Sequence, residues 1–284
     1  MPSSFHDLIQ RNRRGRFRLY IGMAAGVGKT CRLLQDAHDL IRRGEHVLLG
    51  VVVTHGRADT VRLAEGLPAL PLKQVYYKGK ALAEMDLDGL LAVRPDVAVV
   101  DELAHTNAPG ARHAKRWQDV EALLAAGINV ISAVNIQHLE SIAPVVERLT
   151  GAPVAERIPD RLLQMADEVV NIDLSAEDLL QRLREGKIYE PAKIEAALHN
   201  FFRPEHLLQL REMAMRESAR QLDRLITANI PTQQRPHATR ICVCISANEA
   251  TSQKLIRKAA RLADWYGAVW CVTYVQTSRE APDK

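Results

Sequence analysis

Short apolar runs of strand length alternate along this chain with segments of helical periodicity, and this alternation restricts the fold more than any other feature. Val97–Val100 shows it best, because an uninterrupted apolar run fits a strand that is buried on both faces. Such strands occur in parallel sheets covered by crossover helices. We therefore predict an α/β fold with a mostly parallel sheet, whose strands are Phe17–Ile21, Val47–Val53, Val97–Val100, Val130–Val134 and Val169–Leu174.

Helices are predicted between these strands and after the last of them. Those between the strands are Thr30–Arg43, Trp117–Ala126 and His138–Leu149. Ser175 followed by Asp178 resembles a helix N-terminal cap, and from there the chain is predicted to be helical. The sheet therefore continues into a helical segment made of Ser175–Arg184, Pro191–Phe201 and Pro204–Ile226.

A linker with two prolines, Pro231 and Pro236, is the predicted domain boundary. One β-α-β unit follows it, with strands Arg240–Ile245 and Ala268–Val275 around a helix Ser252–Tyr266. A lone unit of this kind cannot close a sheet, so we interpret it as the start of a truncated domain. The predicted organisation is a basic arm (1–15), a sheet domain with a helical C-terminal part (16–228), a linker (229–239) and the β-α-β domain (240–284).

The composition is typical of a globular protein with a sizeable core, with 47% hydrophobic and 25% charged residues. The net charge of +4 does not require a nucleic-acid partner. The sequence contains neither a signal peptide nor an apolar stretch near the ~20 residues that a membrane helix needs. We therefore expect a soluble, cytoplasmic chain without a membrane span. The arginines near the N-terminus either contact phosphate or an anionic membrane surface or form a solvated arm; they are Arg11, Arg13, Arg14, Arg16 and Arg18.

The four cysteines have neither C-x-x-C spacing nor a histidine partner at zinc-site spacing. Cys242 and Cys244 lie two positions apart in an apolar run, so on a strand they would share one face. We expect them to be small core residues rather than disulfide partners or metal ligands.

The glycine-rich loop Gly22–Thr30 follows the first predicted strand and precedes the first predicted helix. Glycines let backbone amides close around phosphate oxygens at a helix N-terminus, Lys29 would reach the β- and γ-phosphates, and Thr30 would bind magnesium. The spacing departs from the general pattern, which expects glycine at Met23. The alternative is an ordinary tight turn with an incidental lysine. We predict an ATP site formed by Gly22, Ala25, Gly26, Val27, Gly28, Lys29 and Thr30.

An acidic pair, Asp101 and Glu102, ends the buried run Val97–Val100. Asp101 is predicted to hold Mg²⁺ together with Thr30. Glu102 is placed to orient or deprotonate an attacking hydroxyl or water. An acidic pair at a strand end is a common feature, but the combination with the glycine loop predicts a nucleotide site.

Polar loops follow three of the predicted strands, where α/β proteins place ligands. In the loop Glu102–Lys115, His105 or Asn107 could sense the γ-phosphate, and Arg112 or the nearby Arg116 could contact it. The alternative is that these residues fill loop turns. The other two loops, which could border the pocket, are Thr54–Arg57 and Asn135–His138.

Four segments resemble the N-terminal cytoplasmic domain of the Kdp-type potassium-responsive sensor histidine kinases. They are GMAAGVGKT, GVVVTHGR, VVDELAHTNAPGARHAKRWQDVE and NIQHLES, and the resemblance runs from about Arg16 to Arg224. The unit after the linker is similar to the start of the universal-stress-protein domain of that family. The resemblance implies a P-loop fold of the NTPase type and a regulatory input domain in which ATP tunes the balance of kinase and phosphatase activity. It also implies as partners the rest of the sensor kinase, a response regulator or a potassium-transport subunit, and a possible homodimer.

Three functions remain open at this point. The first is a nucleotide-binding regulatory module. The second is an active ATPase, or a kinase directed at a Ser/Thr acceptor, with Glu102 as the base. The third is a scaffold in which nucleotide is only structural. We favour the first, because no acceptor pocket can be identified in the sequence.

Overall fold

The computed structural model of the chain describes residues 14–229, 240–245, 248–266 and 268–274. The chain divides into two compact units, one up to Ser218 and one from Ala219. The first unit contains the strands β1 (Phe17–Gly22), β2 (Val47–Val51), β3 (Lys73–Tyr77), β4 (Lys80–Glu84), β5 (Val97–Val100), β6 (Asn129–Asn135) and β7 (Glu168–Asn171). The helices are α1 (Lys29–Arg42), α2 (Ala58–Ala64), α3 (Leu87–Val93), α4 (Arg116–Ala125), α5 (Ala143–Thr150), α6 (Arg161–Met165), α7 (Ala176–Arg184), α8 (Pro191–His199) and α9 (Pro204–Asn229), the last of which contains the boundary between the units.

A five-stranded sheet in the order β2-β5-β6-β1-β7 forms the centre of the first unit. All neighbouring strands are parallel, which confirms the predicted α/β class and all five predicted strands. β6 lies between β1 and β5. Because the strands are parallel, the loops that follow β1, β5 and β6 all leave the same edge of the sheet.

The core lies on both faces of this sheet, as the continuous apolar runs predict. Along β5, Val97 and Val99 face one apolar cluster, and Ala98 and Val100 face the other. Leu33 and Leu34 of α1 belong to the first cluster. Helices α3 to α7 and α9 contribute buried residues to the second. The sheet is therefore covered on both faces, and its ligand-accessible surface is its carboxyl edge.

A β-hairpin formed by β3 and β4 was not predicted from the sequence. Its residues are mostly exposed and include several lysines, so they lack the apolar alternation by which a strand is recognised. Lys78 and Gly79 at its tip both have positive φ angles, of 46° and 75°. These are the angles that a two-residue hairpin turn requires, but lysine at the first position is not a strong sequence signal for it.

The predicted helix His138–Leu149 is wrong in its first half. Ile136–His138 forms a single 3-10 turn, and α5 begins only at Ala143. Pro144 explains the difference, because proline lacks an amide hydrogen and fits only the first turn of a helix. The predicted cap at Ser175 is confirmed, since its side chain accepts a hydrogen bond from the Asp178 amide at 3.0 Å.

Two of the N-terminal arginines make ion pairs with the start of β7. Arg14 lies 2.9 Å from Asp167, and Arg18 lies 2.7 Å from Glu168. Residues 1–13 of the predicted basic arm lie outside the described part of the chain. These two ion pairs therefore connect the N-terminal end of β1 with the start of its neighbour β7.

The second unit contains the predicted β-α-β arrangement. Its strands β8 (Arg240–Ile245) and β9 (Val269–Tyr274) are parallel, and α10 (Glu249–Tyr266) connects them. The prediction of core positions for Cys242 and Cys244 is wrong, because both are exposed whereas Val243 between them is buried. The physical reason is that helix α10 covers only one face of this two-stranded sheet. Most of the predicted linker, residues 230–239, lies outside the described residues.

No helix among the described residues is both long enough and apolar enough to cross a membrane.

Candidate functional site

The loop between β1 and α1 contains two glycines with left-handed backbones. Gly26 and Gly28 have φ angles of 89° and 107°, a left-handed region that favours glycine. Gly28 stands immediately before α1, and no side chain of the described chain caps the helix there. A Cβ atom at Gly28 would find no heavy atom within 4 Å, so the space above the loop is open. The first amides of α1 are therefore available to an anion.

Gly22 is a position at which the loop lies close to its surroundings. A Cβ atom there would lie 2.7 Å from Val27 Cγ2 and 3.1 Å from the Ile172 carbonyl oxygen. Met23, where the general pattern expects glycine, is buried in the core. The close approach that requires glycine therefore occurs one residue earlier than in the general pattern.

Lys29, the first residue of α1, is partly buried and directed back across its own loop. Its Nζ donates to the Ala24 carbonyl at 2.9 Å and to Oδ1 of Asn135 at the end of β6. Burial is the main reason why the pKa of Lys29 falls to about 8, with the Asp101 carboxylate opposing the change and the Arg57 charge adding to it. Both hydrogen-bond acceptors of this ammonium group are neutral, so its charge is not matched by a bonded anion.

Thr30 and Asp101, to which the sequence analysis assigned a shared magnesium ion, are in direct contact. The Thr30 hydroxyl donates to Asp101 Oδ2 at 2.9 Å, and the Glu102 amide donates to Asp101 Oδ1 at the same distance. Burial raises the pKa of Asp101, and these two hydrogen bonds oppose the rise. Two oxygen ligands suitable for Mg²⁺ are thus adjacent at the carboxyl edge of the sheet.

Glu102 has a left-handed backbone, with a φ angle of 51°, which is uncommon for a residue with a side chain. Its carboxylate is 40% exposed and lies 3.1 Å from His55 Nε2. His55, in the loop after β2, also has a positive φ angle, of 49°. The turn therefore presents the Glu102 carboxylate at the surface of the site rather than in the core.

Arg116, at the start of α4, holds the acidic turn in place. It is 3% exposed, and its Nη1 donates to the carbonyls of Asp101 at 3.2 Å and Glu102 at 3.4 Å. Its Nη2 lies 3.6 Å from the buried carboxylate of Glu84 at the end of β4. The guanidinium of Arg116 thus contacts other residues of the protein and supports the backbone of the acidic pair. Arg116 is therefore a positioning residue for Asp101 and Glu102.

The other residues that the sequence singled out in the loop after β5 have partners away from the glycine loop. His105 lies 3.2 Å from Glu84, and the Asn107 side chain donates to Asp119 at 2.7 Å. Arg112 is paired with Asp88 at 2.8 Å. Their role as nucleotide ligands stays a prediction, since these contacts neither use the glycine loop nor test it.

For several residues of the site the sequence predicted no more than a place in a loop that could border the pocket, and for Arg182 it predicted nothing. Asn135 holds Lys29 although the two are 106 positions apart. Arg57 donates to the Ile188 carbonyl, and Arg182 donates to the Gly26 carbonyl of the glycine loop. His138 lies 2.8 Å from the Glu156 carbonyl, and burial lowers its pKa. The available signal was only that Asn135 and Arg57 stand in loops after parallel strands.

The fold and the site together define a mixed α/β protein whose charged loops gather at the carboxyl edge of a parallel sheet. This edge is where proteins of the class bind their ligands.

Comparison with known proteins identifies the family. A family model described as "KdpD: Osmosensitive K+ channel His kinase sensor domain" matches residues 13–222. The "Sensor protein KdpD" of Escherichia coli K12 is 48% identical over 93% of this chain and 30% of its own length. The "Putative sensor protein KdpD" of Synechocystis is 45% identical over 95% of this chain and 72% of its own length. The chain therefore belongs to the KdpD family, as the sequence resemblance predicted.

The chain spans only part of several relatives. It covers 30% of the E. coli protein and 31% of the "Sensor protein KdpD" of Clostridium acetobutylicum, which is 40% identical over 96% of this chain. Among solved structures, a signal recognition particle receptor FtsY from Elizabethkingia anophelis matches 93% of this chain and 49% of its own length, at 12% identity and a TM-score of 0.21. That score is too low to carry an argument about the fold.

Removing the guanidinium of Arg116 should destabilise the domain strongly. We expect Arg116→Met to lower the free energy of unfolding by about 3 kcal/mol, because the buried Glu84 carboxylate would lose its guanidinium partner and the Asp101 and Glu102 carbonyls would lose their donor. The measurement is urea denaturation followed by circular dichroism. Adding Glu84→Gln should recover part of the loss. The matched control, Arg42→Met in an exposed pair with Asp39, should cost about 0–1 kcal/mol. Equal losses for Arg116→Met and Arg42→Met would contradict the positioning role.

Proposed function

We propose that this chain is an ATP-binding regulatory input domain of a potassium- or osmosensing two-component sensor kinase, with Mg²⁺ as the accompanying ion. The partly buried ammonium group of Lys29 carries this proposal. It lies inside a glycine loop, its bonded acceptors are neutral oxygens, and the oxygen pair Thr30–Asp101 is beside it. A cation in this setting is stabilised by an anion that enters from the open side of the loop.

The residues present fit a magnesium-bound nucleoside triphosphate. The positive φ angles at Gly26 and Gly28 and the open space at Gly28 suit close approach by phosphate oxygens. Thr30 and Asp101 would hold Mg²⁺, whose positive charge would offset the phosphate charges. Within the described residues there is no group of three or more His, Cys, Asp or Glu side chains that could hold a metal. The ion would therefore bind with the phosphates rather than to the protein alone.

The strand order also supports a P-loop type of fold. β6 separates β1, which leads into the glycine loop, from β5, which ends in the acidic pair. Parallel neighbours lie about 4.8 Å apart, so β1 and β5 are about 10 Å apart. This spacing leaves room for phosphate and metal between Lys29 and Asp101, whose charges influence each other without forming an ion pair.

The partners follow from the family. We propose that the domain acts on the cytoplasmic side of the membrane, within a sensor kinase that signals to a response regulator or a potassium-transport subunit, as the matched family description suggests. In this proposal nucleotide occupancy sets the balance between kinase and phosphatase activity of the whole protein.

Lys29→Ala should remove most of the affinity for ATP. We expect the Kd to rise by about 10- to 100-fold, since a hydrogen bond to a charged group contributes about 1.5–3 kcal/mol. The measurement is calorimetric titration with ATP and GTP, with and without Mg²⁺. Lys80→Ala, on the exposed strand β4, is the matched control and should leave the Kd unchanged. Preference for GTP would overturn the choice of ATP, and unchanged affinity in Lys29→Ala would overturn the site.

ATP affinity should weaken above about pH 8. The pKa of Lys29 is about 8 in the protein without ligand, and bound phosphate raises it. Below pH 8 Lys29 is charged before and after binding, so the Kd is independent of its titration. Above pH 8 binding must take up a proton, so the Kd rises by up to about tenfold per pH unit. Titrations in buffers of different ionisation enthalpy should show this proton uptake at pH 9 and not at pH 7. Lys29→Arg keeps its charge and should show no such uptake, whereas a flat profile for the parent protein contradicts the prediction.

A second candidate function is phosphoryl transfer to water or to a Ser/Thr hydroxyl. The observation that favours it is the presentation of Glu102 by a left-handed turn, with its carboxylate exposed and directed towards His55 rather than used in the core. A domain that only binds nucleotide needs no such carboxylate. In this function Glu102 would accept the proton of the attacking hydroxyl while Asp101 stays with the metal.

Glu102→Gln separates the two candidates. If Glu102 is a base, the variant should keep the parent Kd for ATP within about twofold and lose turnover by about 100-fold or more, within the usual range for general-base catalysis. Turnover is measured as phosphate release with radiolabelled ATP. An absence of turnover in the parent protein, with ATP bound, would reject the second candidate and leave the regulatory one.

A further inference from the structure

The segment between α7 and α8, residues 185–190, lies directly against the glycine loop. A Cβ atom at Gly26 would stand 2.3 Å from Ile188 Cδ1 and 2.6 Å from its Cγ1, so the two residues are already in contact. Arg182, near the end of α7, donates from Nη1 to the Gly26 carbonyl at 3.1 Å. We call residues 185–190 the cover segment. It is attached to the very residue whose backbone shapes the phosphate turn.

Arg57 joins the cover segment to the loop after β2. Its Nη2 donates to the Ile188 carbonyl at 3.0 Å. Its Nε is buried and, among the described residues, has no hydrogen-bond partner. A buried donor without an acceptor is costly, and a guanidinium has five donors in a planar fork that matches phosphate oxygens. The buried Nε–H group of Arg57 therefore remains available to donate a hydrogen bond.

The charges around the loop also point to an anion. Arg57 is close enough to Lys29 for its charge to contribute to the lowered pKa of that lysine. Within the described residues, neither cation forms an ion pair with a carboxylate within 4 Å. Two like charges in a partly buried site repel each other unless an anion lies between them.

We propose that Arg57 is a phosphate-binding residue that contacts the terminal phosphate of the bound nucleotide, and that its bond to Ile188 makes the cover segment respond to that phosphate. This inference rests on the proposed ATP site. The loop amides would hold the inner phosphates, and Lys29 would reach the β- and γ-phosphates. Arg57, in the loop after β2, would add a second contact to the terminal phosphate from another side of the site. Phosphate would use donors of the fork other than Nη2, the atom that is bonded to Ile188. Both contacts can therefore exist together, and ATP tightens the cover segment while ADP does not.

Arg57→Gln tests the phosphate contact. Calorimetric titration with Mg²⁺-ATP and Mg²⁺-ADP should show that the variant loses about tenfold in affinity for ATP and less than about twofold for ADP. Arg57→Lys keeps the charge but not the fork, and should fall between the parent and Arg57→Gln for ATP. Arg62→Gln is the matched control, because Arg62 lies on the same loop-helix element and pairs only with exposed Asp59. It should change neither affinity.

Amide hydrogen exchange tests the coupling to the cover segment. In the parent protein residues 186–190 should exchange more slowly with ATP than with ADP, and in Arg57→Gln the two nucleotides should give equal rates. Equal losses of ATP and ADP affinity, or no loss, would overturn the inference while leaving the ATP site intact. Failure of the parent protein to bind either nucleotide would instead reject the proposed function, and this inference with it.

Discussion

The pairing of β6 with β1 on one side and β5 on the other holds the charged parts of the site at a fixed separation. In the register of β1 and β6, Gly22 lies opposite Asn135, which places that amide within reach of Lys29. On the other side, Val100 lies opposite Ser132, so the acidic turn begins beyond the same edge. A shift of one residue in either pair would reverse the side-chain directions and separate the groups. Lys29 and Asp101 thus follow strands on either side of β6, and their charges influence each other without forming an ion pair.

The two cations Arg116 and Lys29 are stabilised in different ways beside the acidic turn. Arg116 has acceptors within the protein itself, namely two carbonyls, and it forms an ion pair with the buried Glu84 carboxylate. Lys29 is held only by neutral oxygens, and burial lowers its pKa. The first arrangement stabilises a backbone turn with an unusual φ angle at Glu102. The second leaves a cation whose electrostatic energy improves when an anion binds.

The sequence predicted the parts of the structure that have a strong local pattern. The five parallel strands follow from apolar runs buried on both faces, and the contact of Thr30 with Asp101 follows from strand ends meeting at one edge. The hairpin β3–β4 was missed because its stability does not depend on a buried apolar face. The contact between Arg57 and Ile188 joins residues 131 positions apart, and no local pattern records it. Tertiary packing alone determines such pairs, so they appear only in the folded chain.

The contact between Gly26 and Ile188 makes residues near the end of α7 part of the loop that precedes α1. A fragment cut after β7 would retain every residue of the glycine loop and the acidic turn. It would nevertheless lose Ile188, against which Gly26 packs, and Arg182, which donates to the Gly26 carbonyl. Binding constants measured on such a fragment would describe a less ordered site, because binding would also have to order the glycine loop at a cost in conformational entropy. The complete site therefore includes the segment after α7 that packs against the glycine loop. The glycine-loop motif by itself does not describe the whole site.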